Sequence, residues 1–170
     1  GQPYNMPMLR RLLDLEATLI DYERIVDDHG RRLIFFSIHA GYAGMIETLW
    51  CAARRLAAAG LRTPLLEVKH AYEYPNLAAA QGHLREIGVA IAHAGVGDLQ
   101  RPLVVGIAGY GNVARGCHEI LACLPVTEVQ PAELPEASRR AAADAPILVT
   151  TYREEDLAEP REPGAEFELQ

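Results

Sequence analysis

Apolar positions in the first third of the chain change from helical to alternating spacing. Leu9, Leu12 and Leu13 share one face of "MPMLRRLLDL", which predicts a helix that Asn5 caps with its side-chain oxygen. The next segment, "ATLIDYERIV", alternates, and the polar turn "DDHG" separates it from the run "RRLIFFSI". This part of the chain therefore predicts helix, strand, turn and strand.

The strongest helical pattern runs from about Met45 to Ala59 and ends at Gly60. Its apolar side chains recur at i, i+4, i+7 and i+11, and further apolar residues widen the stripe until little of the helix is polar. A helix that is apolar on most sides packs against several neighbours. It either bridges two domains or lies in an ordinary core, and the pattern fits both.

Helices and strands alternate in the second half. "LRTPLLEVKHAYEYPN" predicts a strand and a loop, "LAAAQGHLREIG" a helix and "VAIAHAG" a further strand. The short apolar run Leu103–Ala108 is typical of a buried parallel strand, and helical spacing resumes after it. This alternation predicts an α/β fold with parallel strands.

The stretch "GIAGYGNVARG" joins that predicted strand to the predicted helix. Gly109, Gly111 and Ala114 match GxGxxA, a variant of the dinucleotide fingerprint, and Tyr110, Asn112 and Val113 complete the candidate cofactor loop. Free amides at the start of the helix would bind a pyrophosphate. The alternatives are a glycine turn without a ligand and a site for a methyl donor such as S-adenosylmethionine.

The segment after this helix departs from the NAD pattern. The second strand is predicted at 126–130, and Pro131 occupies the position where an acidic residue would receive the adenosine ribose, with Glu133 two residues later. Without a carboxylate there, NADP is a candidate cofactor beside NAD. Arg139 or Arg140 would pair with its 2′-phosphate, unless both are simply exposed helix residues.

Composition and charge exclude several classes of protein. A net charge of −7 and a pI near 5.3 argue against nucleic-acid binding. No apolar run is long enough to span a membrane, so we expect no membrane partner and a cytoplasmic location. The spacing of the cysteines and histidines suggests no metal site, and the charged segment 153–170 is predicted to be a loop or tail.

Four longer blocks resemble a known family. "GQPYNMPMLRRLLD", "TLIDYERIVDDHGRRLIFF", "HAGYAGMIETLW" and "GYGNVARGCHEILACLPVTEVQPAEL" are similar to the lysine–ketoglutarate reductase part of the saccharopine dehydrogenases, within the alanine dehydrogenase and transhydrogenase superfamily. The resemblance implies a Rossmann-type parallel sheet preceded by the end of a second α/β domain. Residues 1–42 would close the substrate domain, 43–60 would form a connecting helix, and 61–170 would begin the NAD(P)-binding domain.

The resemblance also implies a reaction: lysine condenses with 2-oxoglutarate, and NADPH or NADH reduces the imine to saccharopine, or the reverse occurs. Glu23 matches an acid that modulates the catalytic groups, and Arg32 matches an arginine that binds a carboxylate of the oxo acid. From the residues alone, the two side chains flank a hairpin and are more typical of a solvent-exposed pair.

The histidine and lysine that the family uses for proton transfer have no counterpart in this chain. The chain opens without an initiator methionine and stops at "EFELQ", so we expect a fragment truncated at both ends, with no useful turnover and with exposed edges that favour aggregation or a homo-oligomer. An alanine dehydrogenase-like enzyme and a non-catalytic dinucleotide-binding regulatory module remain as alternatives.

Overall fold

The computed structural model of the chain describes residues 2–140, 142 and 144–159. It consists of two compact units, Gly1–Phe36 and Ser37–Gln170. The predicted tail at 153–170 therefore lies mostly outside the described residues. Its first residues form a short helix.

The described residues 2–36 of the first unit contain one α-helix and two single-turn 3₁₀ helices. The α-helix α1, Met6–Asp14, confirms the first sequence prediction. The 3₁₀ turns cover Pro3–Asn5 and Tyr22–Arg24. The predicted cap is wrong, because the Asn5 side chain caps no helix amide and instead donates to Gln2 Oε1 at 3.3 Å.

The predicted strand, turn and strand of this unit are reduced to one bridge. Val26 and Arg32 form an isolated antiparallel bridge around the turn. The Asp27 carboxylate accepts the backbone amides of His29 and Arg31, each at 2.9 Å. These bonds, the one from the Arg31 amide first, lower the pKa of Asp27. The turn was thus predicted correctly. The residues on either side of it pair only at the Val26–Arg32 bridge and therefore form no strands.

None of the described residues 2–36 is buried. Apolar side chains of α1 such as Leu9 and Leu13 are 45% and 68% exposed. The apolar face that predicted α1 is therefore present, but no buried residue of this unit packs against it. Its amphipathic pattern is typical of a helix that covers other apolar surface.

The second unit opens with the long helix α2, Ser37–Ala58, and continues with α3, Leu77–Ala94. The remaining strands and α-helices of the described residues are β1 Leu103–Ala108, α4 Asn112–Leu121, β2 Val126–Glu128, α5 Leu134–Ala137, β3 Ile147–Tyr152 and α6 Glu154–Leu157. None of the described helices is long and apolar enough to cross a membrane.

Three sequence predictions in this unit differ from the structure. Helix α2 begins at Ser37 rather than at about Met45, so the segment "HAGYAG" belongs to the helix. "VAIAHAG" belongs to α3 rather than to a strand, because Leu84, Ile87 and Ile91 continue one buried helical face. The segment 61–76 forms two 3₁₀ turns, Pro64–Glu67 and Ala71–Glu73, instead of a strand.

One carboxylate fastens this 3₁₀ segment to α2. Glu47 accepts the Ala71 backbone amide at 2.7 Å and contacts the His70 ring nitrogen Nδ1 at 2.8 Å. The Ala71 amide and then the His70 ring lower the pKa of Glu47. The His70 ring also packs on Trp50, with ring centroids 4.0 Å apart.

The three strands form a parallel sheet in the order β1–β3–β2, which confirms the α/β prediction. Ile147 of β3 pairs with Leu103 on one side and with Val126 on the other. In the usual dinucleotide-binding fold, the first two strands are direct neighbours. Here β3 lies between them. The main core packs α2, α3 and α4 against β1 and β3.

Helices α2 and α4 cross at two glycines with their backbones in contact. A Cβ atom on Gly41 would lie 2.1 Å from the Val113 carbonyl oxygen, and one on Gly116 would lie 2.3 Å from the Ile38 carbonyl oxygen. Beside the crossing, the Tyr42 hydroxyl donates to the Glu119 carboxylate, and this bond raises the pKa of Tyr42. The crossing fixes the start of α2 against the first turns of α4.

Candidate cofactor site

The chain turns sharply at Gly109, directly after β1. Gly109 has φ of +101°, a conformation that residues with a Cβ rarely adopt. Its amide donates to the Tyr152 carbonyl at the end of β3, at 2.9 Å. Glycine is thus required at this position by the turn itself, with or without a ligand.

Gly111 is different, because neither its backbone nor its surroundings require glycine. It is the N-cap of α4 with φ −80° and ψ −167°, which any residue adopts. A Cβ atom built on it would meet no protein atom within 4 Å. The free space above Gly111 is where a pyrophosphate would approach the backbone in the GxGxxA fingerprint, so the loop fits a dinucleotide.

The first turn of α4 supplies the donors of the site. Amides in the first turn of a helix have no helical acceptor and carry the positive end of the helix dipole. These are the amides of Asn112, Val113 and Ala114, whereas the Arg115 amide already donates to the Gly111 carbonyl at 3.0 Å. Ala114 is 7% exposed and packs in the main core, as the third position of the fingerprint requires.

A depression of about 360 Å³ lies over this loop. Residues of the loop and of β1 line it, together with Ser37 from the first turn of α2 and Cys117 from α4. Burial raises the pKa of the Cys117 thiol, which points its hydrogen at the Gly41 carbonyl at 3.6 Å. Ser37 was missed from the sequence because the start of α2 was placed too late.

The second strand ends earlier than predicted, so Pro131 does not directly follow it. β2 ends at Glu128, before Pro131, and the Glu128 carboxylate lies 3.5 Å from His118 Nδ1. The other ring nitrogen of His118 is 2.9 Å from the Thr151 hydroxyl of β3. A histidine of α4 therefore joins the ends of β2 and β3, an arrangement that spacing alone could not indicate.

The predicted phosphate-binding arginines lie after α5. Arg139 pairs with Glu136 at 2.9 Å, and both side chains are largely exposed, as is Arg140. A different cation lies at the glycine loop: the Arg153 guanidinium is over the Tyr110 ring, 5.3 Å from its centroid. Arg153 was missed from the sequence because 153–170 was predicted to be a loop or tail.

Glu23 and Arg32 come together within the first unit. Arg32 Nη2 lies 3.2 Å from Glu23 Oε1, and the side chains are 45% and 58% exposed. The sequence spacing had suggested such a pair on either side of a turn. The structure shows the contact, and the roles that the resemblance implies for the two residues stay predictions.

Within the described ranges, no group of three or more histidine, cysteine, aspartate or glutamate side chains is arranged to hold a metal ion. The candidate chemistry of the chain thus rests on the glycine loop, the Glu23–Arg32 pair and the groups around them.

Comparison with known proteins identifies relatives. No protein-family model matches the chain. It is 42% identical over 136 residues to the alpha-aminoadipic semialdehyde synthase of Arabidopsis thaliana, an alignment that covers 80% of this chain and 13% of that protein. It is 38% identical over 139 residues to the mitochondrial alpha-aminoadipic semialdehyde synthase of Rattus norvegicus, over 82% of this chain and 15% of the relative.

A third relative is more distant. The saccharopine dehydrogenase [NAD(+), L-lysine-forming] of Candida glabrata is 29% identical over 142 residues, which cover 78% of this chain and 34% of the relative. The rat protein is mitochondrial by name, so the predicted cytoplasmic location of this chain stays a prediction. The chain is therefore homologous to a part of the alpha-aminoadipic semialdehyde synthases, as its resemblance to the lysine–ketoglutarate reductase and saccharopine dehydrogenase family predicted.

Proposed function

We propose that this chain holds NADP or NAD at residues 109–114 and contributes that site to an oxidoreductase acting on CH–NH groups. The enzyme would join lysine and 2-oxoglutarate into saccharopine, or run the reverse reaction. The observation that carries the proposal is Gly111, a glycine that the fold does not require, at the point where a pyrophosphate needs free space.

Different residues of the chain would bind the cofactor and the oxo acid. The first-turn amides of α4 would hold the pyrophosphate, while Gly109 makes the turn that aims them. The bound nicotinamide supplies or accepts the hydride. In the first unit, the Arg32 guanidinium would bind a carboxylate of the oxo acid, and Glu23, 3.2 Å away, would tune proton transfer nearby.

The relatives support this assignment through their names. The semialdehyde synthases and the saccharopine dehydrogenase are similar to most of this chain, while the chain spans only 13–15% of the length of the two synthases. Residues 1–42, 43–60 and 61–170 would then be the end of a substrate domain, a connecting helix and the first part of a cofactor domain. The helix observed at Ser37–Ala58 would be that connecting helix.

Cofactor binding is tested by titrating the chain with NADPH and NADH, with Gly111→Ser as the variant. Serine is a better N-cap than glycine by a few tenths of a kcal/mol, so the variant should fold at least as well as the natural chain. Its Cβ occupies the free space, and we expect binding to weaken at least tenfold. Gly44→Ala is the matched control, since Gly44 lies on the exposed side of α2.

Two results would count against a cofactor site at this loop: no measurable binding by the natural chain, or equal binding by the natural chain and Gly111→Ser. The second result would mean that the loop only turns the chain.

The reaction is tested on the product of the complete gene. Lysine, 2-oxoglutarate and NADPH should yield saccharopine, and Arg32→Met should raise the KM for 2-oxoglutarate. Activity with pyruvate and ammonia instead would favour an alanine dehydrogenase-like enzyme. Cofactor binding without either activity would favour a regulatory module. The chain of 170 residues by itself should show no turnover, since it lacks the proton-transfer histidine and lysine that the resemblance implies.

A further inference from the structure

Arg153 is the first residue after β3, at the carboxyl edge of the sheet where the glycine loop also lies. Its backbone amide donates to Asp156 Oδ2 at 2.8 Å, which fixes the main chain at this point. The guanidinium lies over the ring of Tyr110, the residue between the two loop glycines, at 5.3 Å from the ring centroid. An arginine stacked on an aromatic ring is held in place while its donors stay available.

The strand order places Arg153 at the end of the strand beside β1. In dinucleotide-binding folds, the strand beside β1 ends at the adenosine ribose, where an acid receives the 2′-hydroxyl or an arginine accommodates a 2′-phosphate. Crossovers between parallel strands are right-handed, so the β1–α4–β2 unit places β2 on the usual side of β1. Since β3 lies between them, β3 takes the position of the usual second strand.

The residue at the end of that strand is an arginine, not an acid. From the sequence, this position was predicted to follow 126–130, because the second strand along the chain is normally the neighbour of the first. In the structure, β2 is one strand further away, and its terminal Glu128 contacts His118. The residue that follows the strand beside β1 is therefore Arg153.

The charges around Arg153 limit how it can act. Asp156 is bonded to the backbone amide, and within the described part of the chain no carboxylate forms an ion pair with the guanidinium. Glu154 and Glu155 follow directly and are exposed, so the local field does not attract a phosphate from a distance. Recognition must come from direct hydrogen bonds between the guanidinium and the phosphate oxygens.

We propose that Arg153 binds the 2′-phosphate of NADP and makes this site prefer NADP over NAD. The inference rests on the proposed function, since it assumes that the loop at 109–114 holds the rest of the dinucleotide. Tyr110 has the supporting role of a platform that keeps the guanidinium at the edge of the site. Neither Arg139 nor Arg140 is needed for it.

The test is a titration of the 170-residue chain with NADPH and with NADH, for the natural chain and for Arg153→Gln, Arg153→Lys and Arg139→Gln. The natural chain should bind NADPH more tightly. Arg153→Gln should weaken NADPH binding about tenfold, which corresponds to about 1.4 kcal/mol, and leave NADH binding unchanged. Arg153→Lys should restore part of the loss, because lysine keeps the charge but not the two-pronged geometry. Melting curves verify that each variant is folded.

The outcomes separate this inference from the proposed function. No binding of either dinucleotide by the folded natural chain would overturn both. Binding that Gly111→Ser abolishes, with no selective effect of Arg153→Gln, would overturn the inference alone. An equal loss for NADPH and NADH would mean a contact with a group that both cofactors share, which also overturns it. So would a selective loss in Arg139→Gln, which would assign the 2′-phosphate to that residue.

Discussion

Gly41 and Gly44 lie on the same helix, and replacing each by alanine should change stability in opposite directions. Alanine in the middle of a helix is more favourable than glycine by about 0.8–1.0 kcal/mol. A Cβ on Gly44 meets nothing within 4 Å, so Gly44→Ala should gain about that amount. A Cβ on Gly41 would lie 2.1 Å from a carbonyl oxygen and 2.9 Å from the Cα of Gly116.

The cost at Gly41 follows from that distance. Ordinary contacts begin at 3.4 Å, and the atoms in the way belong to the backbone of α4, which has no side-chain rotamer to change. The helices would have to separate by about 1 Å. Such overpacking typically costs about 1–3 kcal/mol, and because backbone atoms are in the way we expect the upper part of that range, about 2–3 kcal/mol. After the gain in helix propensity, we expect Gly41→Ala to lose about 1–2 kcal/mol.

Urea unfolding of the two variants measures the difference directly. The gap between them should be about 2–3 kcal/mol, or several degrees in melting temperature for a chain of this length. Because α4 also carries the first-turn amides of the cofactor loop, Gly41→Ala should weaken NADPH binding while Gly44→Ala leaves it unchanged. Equal stabilities of the two variants would refute the close crossing of α2 and α4.

Three further predictions follow from local contacts. In α3, Gly82→Ala should stabilise the chain, because a Cβ there meets nothing within 4 Å, and Gly88→Ala should destabilise it, because a Cβ there lies 2.6 Å from a carbonyl oxygen. Urea unfolding measures both changes, and a change of the same sign in the free energy of unfolding would contradict this packing. The lowered pKa of Glu47 means that its contribution to stability is complete above the ordinary glutamate range and is lost as the pH falls through the folded-state pKa. Melting temperatures should therefore differ between the natural chain and Glu47→Gln at pH 7 and converge once the pH falls below the folded-state pKa of Glu47, and a constant difference would exclude the carboxylate contacts as the cause. Exposed Cys51 should react with a thiol reagent well before Cys123, whose pKa burial raises, and equal rates in the folded chain would contradict that burial.

Short-range patterns predicted β1, α4 and the glycine turn between them correctly. An apolar run, two glycines and a helical stripe lie within twenty or so consecutive residues, and each needs only its own neighbours to form. The start of α2 was missed for the same reason: "HAGYAG" contains two glycines, which normally disfavour a helix, and only the contact of Gly41 with α4 explains one of them.

The position of Arg153 beside the glycine loop could not be predicted from the chain order. Placing β3 between β1 and β2 depends on pairing between residues far apart in sequence, such as Leu103 with Ile147, which no local pattern encodes. Arg153 therefore went unrecognised in a segment predicted to be a tail. The contact between Glu23 and Arg32 was foreseen, because a turn brings its two flanks together.

Gly109 and Gly111 also predict how this loop would respond to directed evolution. A selection for thermal stability alone should retain Gly109, whose positive φ excludes other residues, but should replace Gly111 with serine, aspartate or asparagine, which are better helix N-caps. A selection for cofactor binding should retain both. Selection for stability would thus change only Gly111, and selection for cofactor binding would change neither glycine. The comparison separates the glycine that the fold requires from the glycine that the ligand requires.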